Sequence, residues 1–304
     1  LKLKWVIGVF ITLMGTLALA DSPTSTRKAV IYLPREPVTL DWNLSSRRID
    51  TVLILNLQEG LIEKGPDQQP KPVIAKRWEM SADGTSYTFF LRDDAKWSDG
   101  KPVVAQDFVD SWRRLISPLA ATSNGYFLME VVGAEDFHKG LNTDFSHVGI
   151  KAITTDIIQI KLKRPVWNWL WNFAEWSTFP IRQDLIDQQG TKFWTAPGNL
   201  VTNGPYVLES HDLNSGYVLK RNPHYTGHIG NITDIQYKIA PESEAISAFT
   251  KGQLDLMCYL SGAEKFSKEA APLLKWSIAS TTKRLDYNVK RFPLGMKEVR
   301  QAIA

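Results

Sequence analysis

Three observations predict a mixed α/β (α+β) fold. The continuous apolar run Ala29-Val30-Ile31-Tyr32-Leu33 reads as a strand buried on both faces. Val104 to Ile116 places Phe108, Val109, Trp112, Leu115 and Ile116 at the spacing of one helical face. Ile158, Ile160 and Leu162 alternate with Gln159, Lys161 and Lys163, the period of a half-buried strand. Strands and helices succeed one another without strict alternation, which suits an α/β or α+β architecture with inserted units.

The remaining elements are taken in chain order. Pro34 ends the first strand, and a helix is expected from Ile49 to Leu57 with Val52, Leu53 and Leu57 on one face. Gly60 and Gly65-Pro66 punctuate the stretch after that helix. After Trp78, Asp83-Gly84 is a turn signal, and Tyr87 to Leu91 is rich in strand formers. Asp93 to Pro102 reads as a loop with a second turn at Asp99-Gly100, and Pro118 closes the helix beyond it. Pro165 opens an aromatic segment holding Trp167, Trp169, Trp171, Phe173 and Trp176. Tyr206 to Leu208 and Tyr217 to Lys220 form an expected hairpin, and Ile235 to Ile239 a strand. Glu242 to Lys251 is a short helix stopped by Gly252, and Leu254 to Leu260 a further strand. At the end, Val299, Ala302 and Ile303 share a helical face barely two turns long, which reads as a cut within an element.

The chain has 304 residues, one cysteine and a formal net charge of +4. A single cysteine excludes an internal disulfide framework, and the apolar content excludes a disordered chain. Lys2 and Lys4 precede the apolar run Trp5 to Leu19, and Ala18-Leu19-Ala20 supplies small residues for signal peptidase. A cleaved secretory signal over residues 1–20 is expected, with the mature chain starting near Asp21. An uncleaved anchor is the alternative. Cleavage removes two lysines and leaves a charge of +2. No run of five like charges occurs, so no nucleic-acid partner is expected. No cysteine stands after the small residues to accept a lipid, and Cys258, in an apolar stretch, reads as a buried thiol.

Catalytic patterns are missing. The sequence holds no P-loop, no G-x-S-x-G, no H-E-x-x-H and no C-x-x-C. His224 and His228 have i,i+4 spacing, but Gly227 and Gly230 oppose a helix there. Asp93 and Asp94 are loop neighbours, and turn formation accounts for Asp83 and Asp99. No enzyme activity, metal or cofactor is expected. The eleven tryptophans leave two readings, core packing or a sugar-stacking surface.

The block from Trp78 to Arg114 resembles the signature of the family 5 extracellular solute-binding proteins, most like the periplasmic oligopeptide-binding and murein-peptide-binding proteins of ABC importers. Further matches occur in order: Thr39-Leu40-Asp41, Pro197 through Tyr206, Lys220 through Tyr225, Gly252 through Asp255, and Asp286 through Ala302. The resemblance implies a periplasmic-binding-protein-like two-lobe architecture with an inserted domain. It assigns residues 27–57 and 165–285 to the first lobe and 58–164 to the insert. Residues 286–304 would begin a second lobe that is largely absent.

The resemblance also implies function. Such proteins engulf an oligopeptide between two lobes, bind its backbone in β-strand fashion and deliver it to membrane permease subunits. A monomeric periplasmic binding component is therefore expected. The candidate ligand-binding residues it implies are Met257, Cys258 and Tyr259, with Asn203 and Tyr206 at a turn that shapes the first lobe. The competing expectations are a truncated, inactive fragment with poor solubility from exposed strand edges, and a secreted carbohydrate-binding protein or glycoside hydrolase.

Overall fold

The structure is a computed structural model. It describes residues 27–257 and Met296, apart from 66, 121, 191 and 214. All described residues except Met296 lie in one compact unit. The N-terminal apolar segment, Cys258, Tyr259 and the terminal helical face fall outside the described residues.

The elements run β1 (Arg27–Leu33), α1 (Arg48–Leu57), β2 (Ile62–Lys64), β3 (Pro70–Pro72), β4 (Ala75–Met80), β5 (Ser86–Leu91), α2 (Ala105–Leu115), α3 (Ala134–His138), β6 (Ile150–Ala152) and β7 (Ile157–Lys161). Then come α4 (Gln183–Gln189), α5 (Lys192–Thr195), β8 (Tyr206–Asp212), β9 (Gly216–Arg221), β10 (Ile232–Ile239), α6 (Glu242–Thr250) and β11 (Leu256–Met257).

A five-stranded sheet has the order β11-β1-β10-β9-β8. β1 runs parallel to both neighbours, with Ile31 opposite Tyr237 on β10 and Leu256 on β11. β8, β9 and β10 continue the sheet antiparallel. The apolar run of β1 is explained by its two neighbouring layers. Ile31 and Leu33 face a core with Leu53, Ile54 and Leu57 of α1, while Val30 and Tyr32 face Ala245 of α6 and Leu254. A strand covered on both sides has no solvent face to keep polar.

α1 turns Ile49, Leu53, Ile54 and Leu57 into the core, and half-buried Val52 packs against it. The buried Tyr237 of β10 ties this helix to the sheet, its hydroxyl donating to the Val52 carbonyl at 3.1 Å.

The second sheet, β4-β5-β7-β6, is antiparallel throughout. Strict alternation on β5 sends Tyr87, Phe89 and Leu91 inward, against Phe108, Val109, Trp112 and Leu115 of α2. A separate hairpin, β2–β3, lies beside it.

The two large cores meet through a buried polar joint. The Asn43 side chain donates to Ser111 Oγ at 3.0 Å and to the Ser177 carbonyl at 2.8 Å, and Arg114 donates to Asp41 Oδ1 at 2.8 Å. Buried polar groups that satisfy one another fix an orientation that apolar contact alone would leave free to slide.

The tryptophans mostly serve these cores. Trp42, Trp97, Trp112 and Trp169 are fully buried, and the first three donate their indole N–H to Pro180, Asp107 and Thr178. Trp167 differs, being 98% exposed. The aromatic segment as a whole winds into two 3-10 turns, Trp169–Ala174 and Trp176–Thr178. Asp99 is also more than a turn residue. It accepts from Lys101 N, as the turn requires, but its other oxygen takes a hydrogen bond from buried Arg182 at 2.6 Å.

Candidate ligand cleft

The parallel strands β1, β10 and β11 all end on the same side of their sheet, and α1 and α6 begin there. A crevice outside the carboxyl ends of parallel strands is where open α/β sheets bind ligands. An open cleft of about 750 Å³ occupies this position, lined by Tyr32, Pro34, Arg35, Arg47, Arg48 and Glu242, with Ile49 at its base.

Local chemistry builds it. Pro34 has no N–H and stops β1, so the chain leaves the sheet at that point. Arg47 is the extended residue before α1, and Arg48 opens the helix. Arg35, Arg47 and Arg48 are exposed. Arg47 and Arg48 at the amino end of α1, with Arg35 just after β1, give the cleft an excess of positive charge beside the one carboxylate of Glu242 on its lining. Burial, together with the Glu242 carboxylate, raises the Tyr32 phenol.

β11 pairs with β1 on the side away from β10. Gly252 adopts φ +69° and ends α6, and Leu254 enters the small core. Asp255 then locks the strand. Its N–H donates to the Val30 carbonyl at 2.8 Å, and its carboxylate accepts from Val30 N at 2.7 Å. Among the described residues, the far edge of β11 carries no strand. Met257, half-buried, sits on this edge strand and packs on the small core. Sequence reasoning did not single out Asp255 or the three arginines. The Gly252-to-Asp255 motif contained the first, but only the strand order assembles the others.

The structure does not bring the candidate residues it describes together. Asn203 and Tyr206 lie at the start of β8, the opposite edge of the sheet from Met257. Asn203 is fully buried, and its amide brackets Glu59, accepting from Glu59 N at 2.9 Å and donating to Glu59 O at 3.1 Å. Tyr206 is buried and donates its hydroxyl to the Ile232 carbonyl at 3.0 Å. Both spend their polar atoms inside the fold. Cys258 and Tyr259 lie outside the described residues. No metal-binding cluster and no helix long and apolar enough to cross a membrane occur among the described residues.

Comparison with known proteins gives the family. Residues 69–304 match the model of the bacterial extracellular solute-binding proteins, family 5, middle region. The chain is 35% identical over 272 residues to the periplasmic oligopeptide-binding protein OppA of Escherichia coli K12, covering 86% of this chain and 50% of that protein. It is 32% identical to the periplasmic murein peptide-binding protein MppA of the same organism, covering 78% and 45%. Among solved structures, Haemophilus influenzae OppA in complex with the peptide RPPGFSPFR aligns with a TM-score of 0.79 at 28% identity, covering 92% of this chain and 55% of that one. The chain thus spans about half the length of the curated relatives it matches. With the matched region taking in most of the sequence, the chain belongs to the bacterial extracellular solute-binding proteins of family 5.

Proposed function

We propose that this chain forms one wall of the ligand site of an ABC-importer binding component, which captures oligopeptides in the periplasm and passes them to the membrane permease. The observation that carries the reading is the cleft at the carboxyl ends of β1, β10 and β11, lined by three arginines, in a sheet whose edge strand among the described residues is β11. An edge strand offers backbone N–H and C=O groups to an extended peptide, and arginines receive its carboxylate. The names of the relatives support the peptide class. Met257, Cys258 and Tyr259 are the proposed ligand contacts, while Asn203 and Tyr206 shape the lobe.

The role is binding without catalysis, by a monomer exported through the N-terminal signal. The lobe division, 27–57 with 165–285 against the insert 58–164, is part of the proposal. Two cores support it, one drawn from residues 33–57 and 179–237, the other from 61–173. Trp169 and Phe173 pack in the second core, which favours a return crossing after Phe173 over one at 165.

The test is a titration of the chain with short peptides, monitored by NMR. Resonances of Tyr32, Arg47 and Met257 should move, and C-terminally amidated peptides should bind more weakly than free acids. Peptides at millimolar concentration that leave all three unmoved would refute the reading.

A further inference from the structure

We infer that the cleft at the ends of the parallel strands selects acidic oligopeptides, and that Arg35 and Arg47 set this preference. The inference rests on the cleft being a peptide site and names the class of peptide it takes.

The charges on the lining do not balance. Arg35, Arg47 and Arg48 stand with one carboxylate, Glu242, which leaves an excess of two positive charges. The terminal carboxylate of a peptide answers one of them. A glutamate or aspartate side chain brings a second carboxylate to the other. A lysine or arginine side chain would add to the excess instead.

The carboxylates nearest in sequence are engaged elsewhere. Glu36, the neighbour of Arg35, accepts from the Tyr217 hydroxyl at 2.7 Å and lies 3.4 Å from His211 Nε2. Asp50, two positions after Arg48, is buried and accepts from Val38 N at 2.8 Å and from Ser45 Oγ at 3.0 Å. Asp41 is buried and holds Arg114. Among the described residues, no hydrogen bond or ion pair takes up the Arg35 or Arg47 side chain. Both residues are exposed, so their guanidinium groups turn to a ligand without breaking a contact inside the fold.

Their anchors are fixed all the same. Pro34 holds its φ immediately before Arg35. The Arg47 carbonyl accepts from Asp50 N at 3.1 Å as α1 begins, and the amino end of that helix adds to the positive field. Long charged side chains on fixed anchors read the charge of a peptide and tolerate variation in where the acid stands along it.

The experiment titrates the full chain, followed by NMR, with short alanine peptides carrying glutamate, glutamine or lysine at one internal position. Each is used as the free acid and as the C-terminal amide, and the amides isolate the side chain from the terminus. In about 20 mM salt the glutamate amide should bind about fivefold more tightly than the glutamine amide, and the lysine amide more weakly than either. The glutamate advantage should fall below about twofold in about 0.5 M salt, where screening shortens the reach of a charge to a few ångströms. The double variant Arg35→Gln, Arg47→Gln should bring the glutamate and glutamine peptides to equal affinity. Equal affinity of the two in wild type, or an advantage that persists in the double variant, would overturn the acidic preference and leave the peptide site standing. No binding of any peptide, as acid or as amide, would remove the peptide site and this inference with it. If the double variant loses its native spectrum, the salt dependence and the lysine peptide decide the matter in wild type.

Discussion

Asn203→Ala separates a joint from a ligand contact. The Asn203 amide links two segments 144 residues apart through paired hydrogen bonds of 2.9 and 3.1 Å to the Glu59 N–H and C=O. The next residue repeats the link, Gly204 N donating to the Leu57 carbonyl at 2.9 Å, and Asn222 donates to the Gly204 carbonyl at 2.9 Å. Alanine removes both partners of Glu59 and leaves one donor and one acceptor facing a buried residue. An unsatisfied buried group costs about 1–3 kcal/mol, and Glu59 is only partly buried, so the sum should be about 2–4 kcal/mol. Urea unfolding monitored by tryptophan fluorescence reads this as a midpoint lowered by roughly 1 M.

Asn203→Asp refines the test. The carboxylate keeps an acceptor for Glu59 N–H but turns a second oxygen toward the Glu59 carbonyl, so its loss should equal or exceed that of alanine. Peptide affinity of the folded variants should stay unchanged, because the cleft lies at the other edge of the sheet. An alanine variant within about 0.5 kcal/mol of wild type, or one that keeps its stability and loses peptide binding, would refute the joint.

Two further outcomes rest on the same geometry. Burial raises the Asp107 carboxyl to about 6, against hydrogen bonds from Val104 N and Trp97 Nε1 and the charge of Arg182. Because the folded value lies above the unfolded one, the native state binds the extra proton between about pH 4 and 6, and stability falls as pH rises through that window. Wild type should therefore gain about 1 kcal/mol relative to Asp107→Asn between pH 7 and pH 5, and parallel pH profiles of the two would contradict this. Gly204→Ala should destabilise by about 2 kcal/mol or more, since a Cβ would lie 2.6 Å from the Leu57 backbone; a denaturation midpoint equal to wild type would show that the backbone there gives way.

Periodicity exposed the elements whose burial is one-sided or complete. The helical spacing of Phe108, Val109, Trp112 and Leu115 and the alternation of Ile158 and Ile160 both survive in the structure, because each is a direct record of which face meets a core. β4 escaped notice for the converse reason. It is an edge strand with Ala75 alone buried, so its sequence carries no inward stripe to read. The three-residue strands β2, β3 and β6 are too short to show any period. Polar joints were hidden more deeply. Nothing in the run around Asp99 announces Arg182, 83 positions away, and a turn signal is a sufficient local explanation until the fold supplies a second one.

The cleft shows where such reading must stop. Arg35 and Arg47 are twelve positions apart, Glu242 is about two hundred positions further on, and none belongs to a patterned stretch. They converge because β1 takes β10 as its parallel neighbour on one side and β11 on the other, so that α1 and α6 begin beside the same strand ends. Parallel pairing of distant strands is a choice among long-range partners, and hydrophobic period is blind to it: β1 would show the same apolar run in any central position of any covered sheet. The ordered motifs narrow that choice, and Asp255 shows how one does so physically. A carboxylate that accepts from Val30 N while its own N–H donates to the Val30 carbonyl fixes β11 beside β1 at one register. Leu256 and Met257 follow directly, paired with Ile31 and Tyr32 of β1, so the clamp at Asp255 sets the register in which this strand joins the sheet.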